Sequence, residues 1–260
     1  MSTTRNIKLT LEYDGTHFNG WQVQDKSKRT VQVEIEKVLS KIFKKKYRIT
    51  GSGRTDSGVH AKAQVANFKT TSTMTPLQIL KALNAWLPED ISVTHAEIVP
   101  LSFHAQYSVK SKTYRYLILN RPSRSALERH FSFFYSHHLN LTLVRREAKS
   151  LLGKKDFKSF QAADISRSEK KTIRTIKKIQ IKKSADFIYI DIEADGFLYK
   201  MVRNIVGTLL EIGSGKRPKA SIQKILKAKN RKAAGPTAPA QGLCLMEVHY
   251  VTNFLKVDTF

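Results

Sequence analysis

The sequence predicts an α+β protein with a largely antiparallel sheet. Three observations carry this expectation. Alternating apolar and polar stretches come in hairpin-like pairs, and segments with apolar residues every three or four positions separate them. The order of elements also partly recurs in the second half of the chain, giving two helix-and-strand halves.

In the first half, residues 5–13 (RNIKLTLEY) alternate as a strand, and Asp14-Gly15 closes it with a turn. From Thr30 to Phe43, Val31, Ile35, Val38, Leu39 and Ile42 recur at helical spacing behind a Thr cap, with Glu34 close to it. Tyr47–Thr50 resumes an extended pattern, and GSGRTDSG follows as a loop. Gln64–Phe68 reads as a strand, Pro76–Trp86 as a helix, Ile91–Ile98 as a strand and Ser108–Leu119 as a long strand. The aperiodic stretch RPSRSALERH (121–130) marks a boundary, giving halves of 1–120 and 121–260. Beyond it, Leu141–Leu152 is a helix and Thr172–Lys182 with Phe187–Ala194 a strand pair. Tyr199–Ile212 is an amphipathic helix, Ser221–Lys227 another helix, and Gly242–Val251 a last strand.

A chain of 260 residues, 41% of them apolar, can bury a substantial core. No run reaches membrane-spanning length, and the amino terminus has no apolar signal core, so a cytoplasmic protein is expected. The single cysteine, Cys244, excludes an internal disulfide and a Cys-rich zinc site. Within GLCLMEV it reads as a small buried residue of a core strand rather than a reactive thiol. The eight histidines form no short ligand spacing, and His137-His138 reads as part of a solvated loop, so no metal is indicated.

Charge is the strongest bulk signal. Forty-six Lys and Arg against twenty-one Asp and Glu leave a formal +25. Such an excess favours a polyanionic partner through neutralised phosphates and released counterions, although a general basic bias would leave the same composition. The clusters are Lys44-Lys45-Lys46, Lys170-Lys171 with Arg174, Lys177-Lys178, Lys182-Lys183, and Lys224 through Lys232. They alternate with apolar residues, which places them on outer faces of folded elements.

Gly51-Ser52-Gly53-Arg54-Thr55-Asp56-Ser57-Gly58-Val59-His60-Ala61 leaves a strand with three glycines and an Arg two residues before an Asp. Glycines admit close backbone approach, and a loop between strands can present a carboxylate. Taken alone, an ordinary turn in which Asp56 bonds its own backbone is the better reading. Gly51-x-Gly53 is no dinucleotide fingerprint, because Asp56 stands in the third glycine's place, and Gly213-Ser214-Gly215-Lys216 fails as a phosphate loop. His60 and His104 are lone histidines near turns with no evident carboxylate to orient them, and they read as structural.

The motifs gain meaning together. GRTDSGVHA (53–61) resembles the active-site loop of the tRNA pseudouridine synthase A family. YDGTHFNGWQ (13–22), KTYRY (112–116), DFKSF (156–160), GFLYKMVRNIVGTL (196–209) and GPTAPAQGLCL (235–245) resemble its other motifs in the right order. The resemblance spans nearly the whole chain. It departs from the family pattern only at Gln241, Tyr199 and Lys200.

The resemblance implies the pseudouridine synthase fold: a central mixed, mainly antiparallel sheet with flanking helices, and two similar halves with the active-site cleft between them. It implies isomerisation of uridine to pseudouridine in the tRNA anticodon arm at positions 38, 39 and 40, by a homodimer. Nothing is consumed in that reaction, so no cofactor is expected. Ionised Asp56 would be the nucleophile, Arg203 its ion-pair partner, and Tyr114 the residue against the substrate base. Arg54 would hold RNA and fill the space of an extruded base, and Leu243 would pack near the target. Without the resemblance, Tyr114 and Leu243 read as core residues, Arg54 as a solvated loop arginine, and Arg203 as facing phosphate or solvent. By strand alternation Tyr116 and Ile118 share the face of Tyr114, with Arg115 and Leu117 opposite. The rival functions are a non-catalytic RNA-binding protein on the same scaffold and a synthase acting at another RNA site.

Overall fold

Residues 3–22, 28–163 and 171–250 are described by the computed structural model of the chain. Its elements run β1 (Arg5–Tyr13), α1 (Val31–Phe43), β2 (Thr50–Gly51), β3 (His60–Thr70), α2 (Pro76–Trp86), β4 (Ile91–Val99) and β5 (Val109–Leu119). They continue with β6 (Phe133–Phe134), α3 (Leu141–Lys149), β7 (Gly153–Asp156), β8 (Ile173–Ser184), β9 (Phe187–Ala194), α4 (Met201–Gly213), α5 (Ser221–Ala228) and β10 (Leu243–Tyr250). Strands and helices thus mix as expected of an α+β protein. The chain divides into two compact units, Met1–Lys110 with Leu245–Phe260, and Ser111–Cys244.

In the first unit the strand order is β4-β1-β3-β10, and β2 pairs with β3. β1 runs antiparallel to both neighbours, with Leu9 opposite Ala66 on one side and Ala96 on the other. Ile7, Leu9, Leu11 and Tyr13 alternate into the core, as their spacing predicts. The opposite face of β1 is covered as well. Fully buried Asn6 donates to the carbonyls of Pro100 (3.1 Å) and Phe103 (2.9 Å) and accepts from Asn67 (2.9 Å). Every polar atom there has a partner, so burial carries no unpaired-group penalty. α1 begins at the expected Thr30 cap, and α2 begins with a capping box between Thr75 and Gln78.

In the second unit the order is β5-β9-β8-β7, antiparallel throughout, while the short β6 lies parallel to β5. Tyr114, Tyr116 and Ile118 are buried and Arg115 and Leu117 less so, in keeping with strand alternation. α4 departs from the amphipathic expectation. Eleven of its thirteen residues are buried, all but Arg203 and Glu211. The reason is a loop, 234–240, that lies across the side a simple surface helix would leave wet. A Cβ on Gly207 would collide with the Pro236 carbonyl, so only glycine lets the loop approach this closely.

Smaller differences have local causes. α3 stops at Lys149 rather than Leu152, and the chain turns there into β7, which apolar periodicity does not mark because its residues are Gly-Lys-Lys-Asp. The extended stretch expected at Tyr47–Thr50 is irregular up to β2, and β3 outruns its predicted 64–68 at both ends. Cys244 sits on the expected strand but is half-buried. Lys170, in one predicted basic cluster, and Val251, the end of the last predicted strand, lie outside the described residues. Among the described residues, no helix is long and apolar enough to cross a membrane.

Candidate active site

The loop carrying Asp56 joins β2 to β3, and the YDGTHFNGWQ segment forms its bed. The Trp21 amide donates to the Thr55 carbonyl (3.2 Å), and the Gly58 amide and Ser57 hydroxyl both donate to the Phe18 carbonyl (3.2 and 3.1 Å). Buried Thr55 turns its hydroxyl onto the Tyr13 hydroxyl at 2.8 Å. Gly20, at φ +86°, lies so close that a Cβ would reach 2.5 Å from the Thr55 carbonyl. An added Cβ on Gly15 would collide with the Val59 carbonyl, and one on Gly51 with the Trp21 indole. The glycines of both motifs are thus sites of close approach between the two segments.

This clasp fixes residues on either side of Asp56. The Asp56 carbonyl accepts from the Val59 amide (3.2 Å), closing a turn in which Gly58 takes φ +75°. Asp56 is half-buried, whereas Arg54 is exposed. The loop's entry is held by Ser52, whose hydroxyl donates to Gln64 (2.6 Å), and Gln64 in turn donates to the Gly53 carbonyl (3.0 Å).

His60 belongs to the same clasp. Its Nδ1 accepts from the Gly15 amide at 3.0 Å and lies 3.1 Å from an Asp14 carboxylate oxygen. An acceptor Nδ1 carries no proton to give Asp14, so we read the amide bond as the defining contact and His60 as a structural acceptor. Asp14 instead receives the Thr16 amide (2.9 Å) and hydroxyl (2.5 Å). His104 caps a turn, its Nδ1 accepting from the amides of Gln106 and Tyr107, both at 3.2 Å. Both histidines hold turns, but His60, unlike the sequence expectation, has a carboxylate beside it, that of Asp14.

The second unit holds the other three expected site residues, of which Arg203 meets the loop that follows α5. Arg203 is one of the two residues of α4 that escape burial, and its Nε donates to the Ala238 carbonyl at 2.7 Å. The Ala238 amide donates back to the Arg203 carbonyl (3.1 Å). One carbonyl further on, Pro239 accepts from the Tyr116 hydroxyl (2.7 Å). Burial raises the Tyr116 pKa above the usual phenol value, and the charge of Arg203 opposes this only in part. Tyr114, two residues back on the same strand face, is buried and meets Phe197 edge to face at 5.1 Å. Leu243 opens β10 just beyond the loop and is buried.

Sequence reading missed what holds this loop. Asn204, fully buried next to Arg203, donates to the Phe160 carbonyl (2.7 Å) and accepts from Arg231 (3.0 Å) and Thr237 (2.6 Å). Thr208 donates to the Asn204 carbonyl and accepts from the Gly235 amide. Thus DFKSF, MVRN and GPTAPA meet at one asparagine. An Asn and a Thr four apart on the apolar, buried side of the helix were the available signal. Lys112, at the start of KTYRY, has its pKa lowered to about 8 by burial.

Comparison with known proteins shows the family. A family model described as tRNA pseudouridine synthase matches residues 10–108 and 148–251. The tRNA pseudouridine synthase A of Clostridium acetobutylicum is 45% identical over 246 residues, 95% of this chain and 100% of its own. That of Shouchella clausii is 47% identical over 241 residues, 92% of this chain and 91% of its own. A chain in a solved Cbf5-Nop10-Gar1 complex aligns over 92% of this chain and 57% of itself at 10% identity, with a TM-score of 0.36 too low to bear on the argument. The class is therefore the pseudouridine synthases, enzymes that isomerise uridine to pseudouridine. Within it, the chain belongs to the tRNA pseudouridine synthase family.

Proposed function

We propose that this protein converts uridine to pseudouridine at positions 38, 39 and 40 of the tRNA anticodon stem-loop. The observation that carries the proposal is the half-buried Asp56 carboxylate on a loop clamped on both flanks by the 13–22 segment. A nucleophile or base must be held within a fraction of an ångström of its productive position, and the clamp supplies that constraint.

The reaction breaks the ribose C1′–N1 bond, turns the uracil, and joins C1′ to C5. The proton lost from C5 is balanced by one gained at N1, so the product is an isomer. Asp56 as an anion attacks the nucleotide, at uracil or ribose, or takes a ribose proton. Arg203 pairs with Asp56 and directs its carboxylate. Tyr114 lies against the uracil and assists removal of the C5 proton. Arg54, exposed on the same loop, holds RNA and occupies the space of the extruded base, offsetting an unstacking cost of a few kcal/mol. Leu243 contributes apolar packing near the target. The working form is a homodimer in the cytoplasm, with one tRNA touching both subunits.

The test is isomerisation of unmodified total tRNA, mapped by chemical labelling because product and substrate have equal mass. Asp56→Ala should abolish pseudouridine formation while tRNA affinity stays within several-fold, since phosphate contacts supply most of the affinity. Appreciable product from that variant removes Asp56 from the mechanism. Arg203→Ala should cripple single-turnover rate more than binding, and Arg203→Lys should restore it only partly, because an ammonium cannot reproduce a guanidinium's paired bonds. Weakened binding with an unchanged rate would place Arg203 on phosphate instead.

A further inference from the structure

The first unit carries a second feature on the same side of β2 as the turn after α1. A cavity of about 670 Å³ opens between that turn, the end of β3 and the loop after β4. Lys45, Lys46, Arg48, Lys69 and His104 line it, and no aspartate or glutamate does. The four Lys and Arg side chains are exposed, so their charge faces solvent.

The groove is built on firm ground. α1 ends with Lys44 in the left-handed conformation (φ 53°), which turns the chain so that Lys45, Lys46 and Arg48 follow one another along the rim. Tyr47 between them is anchored inward: its hydroxyl bonds Thr70 (2.8 Å), and its ring meets Phe68 edge-on at 5.5 Å. Glu36 and Gln32 of α1 hold Ile49, just beyond Arg48, by its amide and carbonyl. The cations thus stand on an ordered turn, and little backbone entropy is lost on binding.

We infer that this groove receives backbone phosphates of the substrate RNA. The inference rests on the tRNA reading above and deepens it. Charge selects the occupant: four exposed cations and no carboxylate suit a polyanion with repeated phosphates. The contact falls away from the target uridine, because Lys69 of the groove lies nine residues along β3 from His60, a span of about 30 Å.

The experiment measures binding of full tRNA across a salt series. It compares wild type with Lys45→Gln/Lys46→Gln/Arg48→Gln. Lys81→Gln/Arg124→Gln/Arg129→Gln, three exposed cations outside the basic clusters named above, serves as a control of equal charge loss. The groove variant should lower the slope of log affinity against log salt by about 2 to 3. Affinity should fall about tenfold or more, and by more than the limiting single-turnover rate. An unchanged slope, or an equal fall in the control, overturns the groove assignment. If wild type forms no pseudouridine while the slope still falls, the tRNA-modifying reading fails and the groove stands as an RNA site. If wild type is active and the slope is unchanged, only the groove fails.

Discussion

The loop at 51–60 and the loop at 234–240 are both held rigidly, but by different means. The first is fastened by main-chain hydrogen bonds to the 13–22 segment, by the short hydroxyls of Ser52, Thr55 and Ser57, and by glycines that admit close contact. The second is fastened by buried side chains, with Asn204 and Thr208 of α4 joined to Arg231, Thr237 and Gly235. A loop whose own side chains must remain available to substrate is best anchored through its backbone. A loop that positions a neighbour, here Arg203, can use its side chains for anchoring. Substitutions should therefore injure the two loops in different ways.

Glycine substitutions make the largest test. Gly207→Ala forces the 234–240 loop off α4 and should cost about 4 kcal/mol or prevent folding, read as a large drop in unfolding midpoint. Gly20→Ala combines a left-handed φ with a 2.5 Å approach to Thr55, and should shift residues 55–57. Its stability loss should be smaller, about 2 kcal/mol, with single-turnover rate down at least tenfold. Equal stability losses with no kinetic difference would erase the distinction between the loops.

Of intermediate size is Thr237→Val, which removes one of the partners of the buried Asn204 carbonyl oxygen while Arg231 remains. About 1 to 2 kcal/mol should be lost in denaturant unfolding. The turnover rate should fall in parallel with that of Arg203→Lys if the loop positions Arg203. A stability loss with normal turnover would restrict the network to folding.

The smallest effect concerns Lys112. Its folded pKa of about 8 lies below the unfolded lysine value, so between roughly pH 8 and 10 the unfolded chain binds more protons. Stability should therefore rise with pH across that window, by at most a couple of kcal/mol. Buried Tyr116 and Tyr250 act the other way, because their folded pKa values are raised and stability is lost as pH climbs past about 10. Urea midpoints at pH 8 and 9.5 span that window, and Lys112→Met should flatten the rise. A rise that persists in Lys112→Met would assign it elsewhere.

Much of the first unit was legible because its determinants are local. The period-two pattern of β1, the Thr30 cap and the apolar spacing of α1 each reflect backbone geometry within a few residues. β7 was not legible, since Gly-Lys-Lys-Asp becomes a strand only through pairing with β8. α4 was legible as a helix but not as one buried nearly all round, because its cover comes from residues some thirty positions later. The sequence by itself thus determined the α+β class, most elements and, through six ordered motifs, the family. The tertiary structure decided why those motifs stand together: 13–22 as the bed of the Asp56 loop, and Asn204 as the junction of three segments. Hydrogen bonds and close approaches between residues distant in sequence leave no periodic trace, and only the folded chain brings their partners within reach.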